Sequence, residues 1–417
     1  MKIMLVCSGQ VNKNLFQCAS WVEALIDKIQ GIKSYQILVC YSCVSKTIEQ
    51  TLISGVTYIG VPRKRGIYRV DRQSQLIYES IMTQYKPEVI HLCGTEYPYS
   101  LEVVTAAKNK GMLEHIVVII QGLCSKIAEH YMDCIPWWVR YGFTLRDFIR
   151  FDNVYMQKKK MEIRGMNEIK ALRLVNNISG RTEWDCSCTY LINPKRRYYK
   201  CNEFLRDIFY QKQWKYDECE KHTLFVSQSY YTIKGFGVLL DAVGLLLKDY
   251  PDIKIYTTGT RLNPEGPNWK IDLYTVYLKK KISKMNLENR VIGCGQLSAE
   301  EMCNRYLKCN VFVSPSMIEN SSNSVGEAML LGCPIISSYV GGITDFIVHK
   351  QNGYLYQPNA AYMLAYYIRK IFENNEETIR LASNARMSGM KVFDRMQNFD
   401  AIKRMYEDIV SITKIGE

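Results

Sequence analysis

Two carboxylates, Glu319 and Glu327, stand eight residues apart in the stretch VFVSPSMIENSSNSVGEAMLLGCPIISSYVGG, residues 311–342. The residues between them are mostly small and polar, and the helical spacing of Val325, Ala328 and Met329 starts before the second. A loop that runs into a helix N-terminus leaves backbone N–H groups without internal partners. The amides of Asn323, Ser324 and Val325 can therefore hold an anion such as a diphosphate. Carboxylates suit hydroxyls, which donate to them. A ligand with phosphates on those amides and sugar hydroxyls on Glu319 and Glu327 is a nucleotide sugar. The alternative is a solvated loop charge at Glu319 and, at Glu327, an acidic residue that favours the helix dipole. Spacing alone does not separate the two.

The elements that would position these groups are legible around them. Val311 to Val313 is an apolar run stopped by Ser314-Pro315, Gly332-Cys333-Pro334 ends the helix, and Ile335-Ile336 opens another strand. The unit is β-loop-α-β. Strands alternate with helices through both halves, which predicts an α/β protein with parallel sheets. At 417 residues and 47% hydrophobic content, the chain has room for two domains.

Glu319-x7-Glu327, followed by Ala328-Met329, Gly332-Cys333-Pro334 and Gly341-Gly342, resembles the donor-site signature of the family 4 (group 1) glycosyltransferases. The resemblance implies a GT-B fold, two Rossmann-like domains facing a cleft, with retention of anomeric configuration and no metal or other cofactor. It implies that Glu319 contacts donor-sugar hydroxyls near the reacting carbon and that Glu327 holds the ribose. It assigns Lys234, of the pair Lys234-Gly235, to the donor diphosphate. Where the family carries an arginine five or six positions earlier, this chain has Ser229 and Gln228, so the second cation is missing. Gly259, at the end of a strand, and Gln296 and Leu297, in the turn that contacts the base, complete the donor side. Gly9, after the first strand, stands where relatives bring backbone to the reacting phosphate.

Acceptor contacts are expected beyond strand ends in the first half. Glu96 and Tyr97 follow the strand Val89 to Leu92, and Gln121 occupies the place near which relatives carry a histidine. His130 is the next histidine downstream, and His91 reads as a structural imidazole. Ser179 to Asp185 and Asn202 to Arg206 resemble a bacterial surface-polysaccharide subgroup. Arg181 and Arg206 could bind an anionic acceptor such as a lipid diphosphate, or else pair with Glu183, Asp185 and Asp207.

Residues 1–215 are predicted as the acceptor-binding domain with a basic, aromatic helical insertion at about 137–175. Residues 222–395 are predicted as the donor-binding domain, and 396–417 as a helix crossing back to the first. The polar stretch Gln211 to Lys221 is the expected linker. The net charge is +13, and Trp137 to Lys215 holds 17 Lys+Arg against 8 Asp+Glu, or +9. That stretch, opened by Trp137-Trp138, Tyr141, Phe143 and Phe148, suits an anionic membrane surface, with a solvated helical face as the alternative. No nucleic-acid motif accompanies it. The pairs Cys40-x2-Cys43 and Cys186-x-Cys188 lack the further ligands of a zinc site, so no metal is expected. No long apolar run or signal peptide is apparent, and a cytoplasmic protein with reduced thiols is expected, peripheral at the inner face of the cytoplasmic membrane.

The expected function is transfer of a sugar from a nucleotide-diphosphate sugar, UDP being the family's commonest, to a glycan or polyprenyl-diphosphate-linked saccharide in surface polysaccharide biosynthesis. The alternative is a non-catalytic subunit that binds nucleotide sugar or glycan for a partner enzyme.

Overall fold

The computed structural model describes residues 1–12, 15–63, 68–259 and 270–416; the Pro/Gly-rich loop expected up to Pro267 lies outside them. The chain divides into two compact units. The first comprises 1–126, 160–205 and 394–417, and the second 127–159 and 206–393.

In the first unit the strands are β1 (Lys2–Cys7), β2 (Gly9–Asn12), β3 (Leu15–Cys18), β4 (Gln36–Cys43), β5 (Glu49–Ile53), β6 (Val56–Pro62), β7 (Val89–Cys93), β8 (Ile116–Ile119), β9 (Asn177–Gly180) and β10 (Arg197–Lys200). Eight of them form one sheet in the order β10-β9-β8-β7-β1-β4-β6-β5, with β2 and β3 a separate antiparallel hairpin. All neighbours are parallel except β5 with β6. A parallel strand covered on both faces must be apolar throughout, and β1 is buried from Ile3 to Cys7. Its period of two divides the core. Met4 and Val6 pack on one face with Ile90, Tyr78 and Val103, while Ile3 and Leu5 pack on the other with Leu25, Ile29 and Tyr406.

Tyr406 lies on the final helix, Arg395–Gly416. Its hydroxyl shares a 2.6 Å hydrogen bond with Nδ1 of His91, a contact spanning 315 residues of sequence. Complete burial pushes the imidazole down to about 3, so His91 stays neutral and structural.

The second unit holds a six-stranded parallel sheet of β11 (Glu220–Val226), β12 (Lys254–Thr257), β13 (Val291–Gly293), β14 (Cys309–Ser314), β15 (Ile335–Ser338) and β16 (Tyr354–Tyr356), in the order β13-β12-β11-β14-β15-β16. Each unit is thus a Rossmann-like α/β body. The units differ from the expected domains in two respects. The stretch read as a linker is anchored. Trp214 is buried, donates its indole N–H to the Cys309 carbonyl at 2.8 Å and its backbone N–H to that of Leu331 at 2.8 Å, which ties 206–219 to the second unit. Residues 127–159 of the insertion also belong to the second unit. Thr144 donates to the Ile271 carbonyl (2.9 Å), the buried Asp147 accepts from Leu273 N–H (2.9 Å), and Thr232 donates to the Tyr131 carbonyl (2.8 Å). Composition shows that such a segment is helical; it does not show which sheet it covers.

Candidate functional site

In the second sheet the chain leaves β11 towards β12 and β13 on one side, then returns to β14, β15 and β16 on the other. Neighbouring connections diverge at such a switch point and open a crevice beyond the strand carboxyl ends. The donor-side residues follow those ends. Ser229 and Lys234 come after β11, Gly259 after β12, Gln296 and Leu297 after β13, and Glu319 after β14.

Glycines set how closely these loops approach. Gly235 has φ +63°, and a Cβ there would strike the Pro315 carbonyl and lie 2.9 Å from Met317 Cε. The close packing lets Met317 N–H reach the Ile233 carbonyl at 2.7 Å and brings Lys234 Nζ into an ion pair with the Glu319 carboxylate. Ser316 Oγ donates to the same carboxylate at 2.9 Å. Behind it, Gly341 at φ +49° leaves room for the Glu319 carbonyl, which accepts from Gly342 N–H at 3.1 Å. Glu319 is thereby fixed from both sides.

The helix Asn323–Leu331 starts from Ser322, whose side chain makes no capping bond. The N–H groups of Asn323, Ser324 and Val325 form its first turn, the geometry that suits an anion. Glu327, one turn on, is buried, and Arg206 binds its Oε1 through Nη2 at 2.6 Å and Nε at 3.2 Å. Tyr306 OH lies 3.4 Å from Oε2. Burial pushes the Glu327 carboxyl up, and the Arg206 guanidinium pulls it back. Arg206 therefore neutralises Glu327, an acid 121 residues away in sequence. Ser229 is buried; Gly259, at φ +97°, bridges to Gly295 through a 2.8 Å N–H to carbonyl bond; Gln296 is exposed and Leu297 half-buried beyond it.

The first unit contains an open cavity of about 620 Å³, and it gathers four of the expected residues, Gly9, Glu96, Tyr97 and Gln121. Trp21, Tyr99, Gln10, Gln17 and Arg164 share its wall. Gly9 does not start a loop as expected. It opens the hairpin β2–β3 opposite Cys18, and a Cβ there would run into the ring of the buried Phe16. Glu96 accepts from Gly122 N–H at 3.0 Å, and burial pushes its carboxyl up. Tyr97 stacks on Tyr99 with ring centroids 5.8 Å apart, and the Arg164 guanidinium lies 4.9 Å from its centroid. Gln121 donates to Glu203 Oε1 at 2.5 Å.

Arg181 differs from the expectation of an anion-facing side chain. It is 2% exposed, pairs with Glu203 at 2.7 Å and donates to the Gln121 carbonyl at 3.1 Å, so it pins the ends of β8 and β9 from inside. His130 belongs to the other unit, where Nδ1 meets Asp133 Oδ2 at 2.7 Å, and it does not line the cavity. Arg164 was missed as a site residue, and Arg206, read as an acceptor contact or a partner of nearby acids, was not expected to hold Glu327. Arg164 and Glu168, four residues apart on one helix, carried a usable signal, since that spacing places both on one face. Among the described residues no group of three or more His, Cys, Asp or Glu is arranged to hold a metal ion, and no helix is long and apolar enough to cross a membrane.

With this geometry in hand, comparison with known proteins gives a consistent picture. Residues 207–388 match the family model described as "Glycosyl transferases group 1". A D-inositol 3-phosphate glycosyltransferase of Corynebacterium glutamicum is 23% identical over 43% of this chain and 41% of its own length. An MMP alpha-(1->4)-mannosyltransferase of Mycolicibacterium hassiacum is 26% identical over 39% of this chain and 36% of its own. The chain thus spans less than half the length of these curated relatives. Among solved structures, a sucrose-phosphate synthase from Thermosynechococcus elongatus superposes with a TM-score of 0.70 at 14% identity over 99% of both chains. HepE of Anabaena in complex with UDP-glucose gives 0.65 at 17% identity over 99% of this chain and 100% of its own. The fold is therefore the α/β GT-B type, and the second unit carries the region that matches the group 1 glycosyl transferases.

Proposed function

We propose that the protein is a retaining glycosyltransferase of family 4 that moves a sugar from a nucleotide-diphosphate donor, a UDP-sugar, to a hydroxyl of a lipid-linked saccharide in surface polysaccharide synthesis. The observation that carries this reading is the meeting of Lys234 and Glu319 at the switch point of the second sheet, beside an uncapped helix N-terminus. UDP as donor nucleotide draws on the UDP-glucose held by HepE. In the proposed reaction the diphosphate sits on the amides of Asn323 to Val325 and takes Lys234, and the sugar hydroxyls take Glu319. The acceptor oxygen then bonds to the anomeric carbon on the face from which the diphosphate leaves. The anomeric C–O bond breaks, and the acceptor proton passes to a phosphate oxygen. No metal is required, because Lys234 and the amides neutralise the departing charge.

Released nucleotide is the measurement. Pure protein is incubated with UDP-, GDP- and ADP-sugars, without and with a lipid-linked saccharide extract. Release from one donor, increased by the extract, is expected. If no donor is turned over while calorimetry shows a nucleotide sugar bound, the chain is a binding subunit and the transferase reading fails.

The proposed partner surface is an anionic membrane, at the inner face of the cytoplasmic membrane. Much of the basic excess is used internally. Arg181, Arg196, Arg197 and Arg206 are all engaged within their own units. Support comes instead from 137–151 in the second unit, where Trp137 is 76% exposed and Phe151 69%, with Phe143, Phe148 and Ile149 also above half. The capping box of Thr144 and Asp147 stiffens this apolar wedge. The adjoining helix Leu273–Lys284 carries exposed Lys280 and Lys284, and Lys280 lies over the Trp138 ring. An apolar edge with cations at its flank fits an anionic interface. Phosphatidylglycerol vesicles should capture the protein at low salt, and the double substitution Phe148→Ser, Phe151→Ser should reduce capture about tenfold or more, from the loss of two interfacial aromatics. Equal capture by neutral phosphatidylcholine, or none by either, overturns the membrane proposal.

A further inference from the structure

The loops that present Glu96, Tyr97 and Gln121 to the cavity leave two neighbouring strands, β7 and β8, and surface loops of this kind are ordinarily mobile. Here one side chain binds both. Glu168, on the helix Val154–Leu174, is fully buried and does not line the cavity. Its Oε2 accepts from Thr95 Oγ1 at 2.9 Å and from Cys124 N–H at 2.9 Å; its Oε1 accepts from Ser125 N–H at 3.1 Å and from Ser125 Oγ at 2.8 Å. Thr95 immediately precedes Glu96 and Tyr97. Cys124 and Ser125 follow Gln121 and Gly122, and Gly122 N–H in turn holds the Glu96 carboxylate at 3.0 Å.

The backbone is built for this reach. Gly165, one turn before Glu168, lies so close to the second loop that a Cβ would sit 2.7 Å from Ser125 Cα and 2.8 Å from its nitrogen. On the same helix, Arg164 donates to the Glu96 carbonyl and faces the Tyr97 ring. Thus 164–168 meets the first loop through Arg164 and Glu168 and the second through Gly165 and Glu168. A buried carboxylate is costly; four donors offset part of that cost, and burial still pushes the Glu168 carboxyl up to about 7.

We propose that Glu168 is a positioning residue for the acceptor: by joining both loops it fixes Glu96, Tyr97 and Gln121 at the spacing a saccharide requires, and it sets acceptor affinity without touching the acceptor. The inference rests on the transferase reading above. Glu168→Gln isolates the effect. A hydroxyl can turn and accept, so the Thr95 and Ser125 side chains adapt to an amide. The N–H groups of Cys124 and Ser125 cannot, and because each faces a different oxygen, either orientation of the glutamine turns its NH₂ towards one of them.

The experiment measures nucleotide release from the donor selected by the panel, with water alone and with a titration of the lipid-linked saccharide extract, together with hydrogen exchange of the amides in 94–98 and 121–126. For Glu168→Gln the half-saturating extract concentration should rise tenfold or more while release to water stays within twofold, and exchange should quicken in those two segments only. An unchanged extract titration, an equal fall in both activities, or unaltered exchange in the two loops overturns the proposal. If Glu168→Gln does not fold, Thr95→Val and Ser125→Ala each remove one donor and should each raise the half-saturating concentration about threefold, with no change again overturning it. A wild-type protein that releases no nucleotide with any donor refutes the transferase reading, whereas the exchange comparison still decides whether Glu168 holds the loops.

Discussion

Glu319→Gln is expected to lower turnover by about a hundredfold or more, the usual effect of losing a group that meets transition-state charge, while donor binding is kept or tightened. The second half of that expectation follows from the ion pair. Lys234 is paired with the Glu319 carboxylate, so an incoming diphosphate competes with that carboxylate for the ammonium. Glutamine keeps the hydrogen-bonding reach of the side chain towards Ser316 and sugar hydroxyls but removes the competitor. In the proposed reaction, positive charge growing at the anomeric carbon then has no carboxylate to meet, so kcat should fall while KM for the donor should not rise. Steady-state release with the selected donor, combined with calorimetric titration of UDP, checks both halves. Turnover within about threefold of wild type would remove Glu319 from the mechanism, and weaker UDP binding would refute the competition argument.

Arg206→Leu should be the most destabilising single change near the site, at about 3 kcal/mol near pH 8, the lower end for breaking a buried pair because the guanidinium is partly exposed. The sign of its pH dependence is fixed by burial. Burial raises the Glu327 carboxyl above its unfolded value, so ionisation costs the folded state more as pH rises through the folded value. Arg206 offsets that cost. Without it the carboxyl rises further, so the mutant should approach wild type near pH 5 and fall furthest behind near pH 8. Denaturant midpoints at the two pH values measure this, and a deficit that is equal at both would mean that Arg206 acts by packing on Phe209, 4.8 Å from its guanidinium, rather than by charge.

The site is held by contacts of two kinds, one visible in the sequence and one not. The β-loop-α-β around 311–342 was legible because each element announces itself locally. A run of apolar residues stopped by Ser314-Pro315 became β14, and Gly332 in the left-handed region ends the helix Asn323–Leu331. Lys234-Gly235 was legible through resemblance, and its reason is steric, since the Pro315 carbonyl leaves no room for a Cβ. The hairpin β2–β3 and the edge strands β5 and β10 were not read, since their short, partly polar segments carry little of the periodicity that marks a buried strand. Partner choice was invisible for a different reason. Arg206 had acids close by in sequence and took Glu327 at a distance of 121 residues, while Arg181 took Glu203 and was withdrawn from solvent. Charge shows that a guanidinium will find a carboxylate; only the fold decides which one.

The division of the chain into alternating segments has a consequence for the order in which the protein can be made. The first unit needs Tyr406 to meet the buried His91 nitrogen, and Ile402, Met405 and Ile409 to cover one face of its sheet. During synthesis β1 to β10 therefore wait, with the part of one apolar face that Ile402, Met405, Tyr406 and Ile409 cover left open, while nearly two hundred further residues leave the ribosome. The second unit is different. From 127–159 and 206–393 all of its parts precede Asp394, so it can close first. The carboxyl-terminal helix acts as the late latch of the amino-terminal unit, and a nascent chain stalled before it would present the surface that chaperones bind.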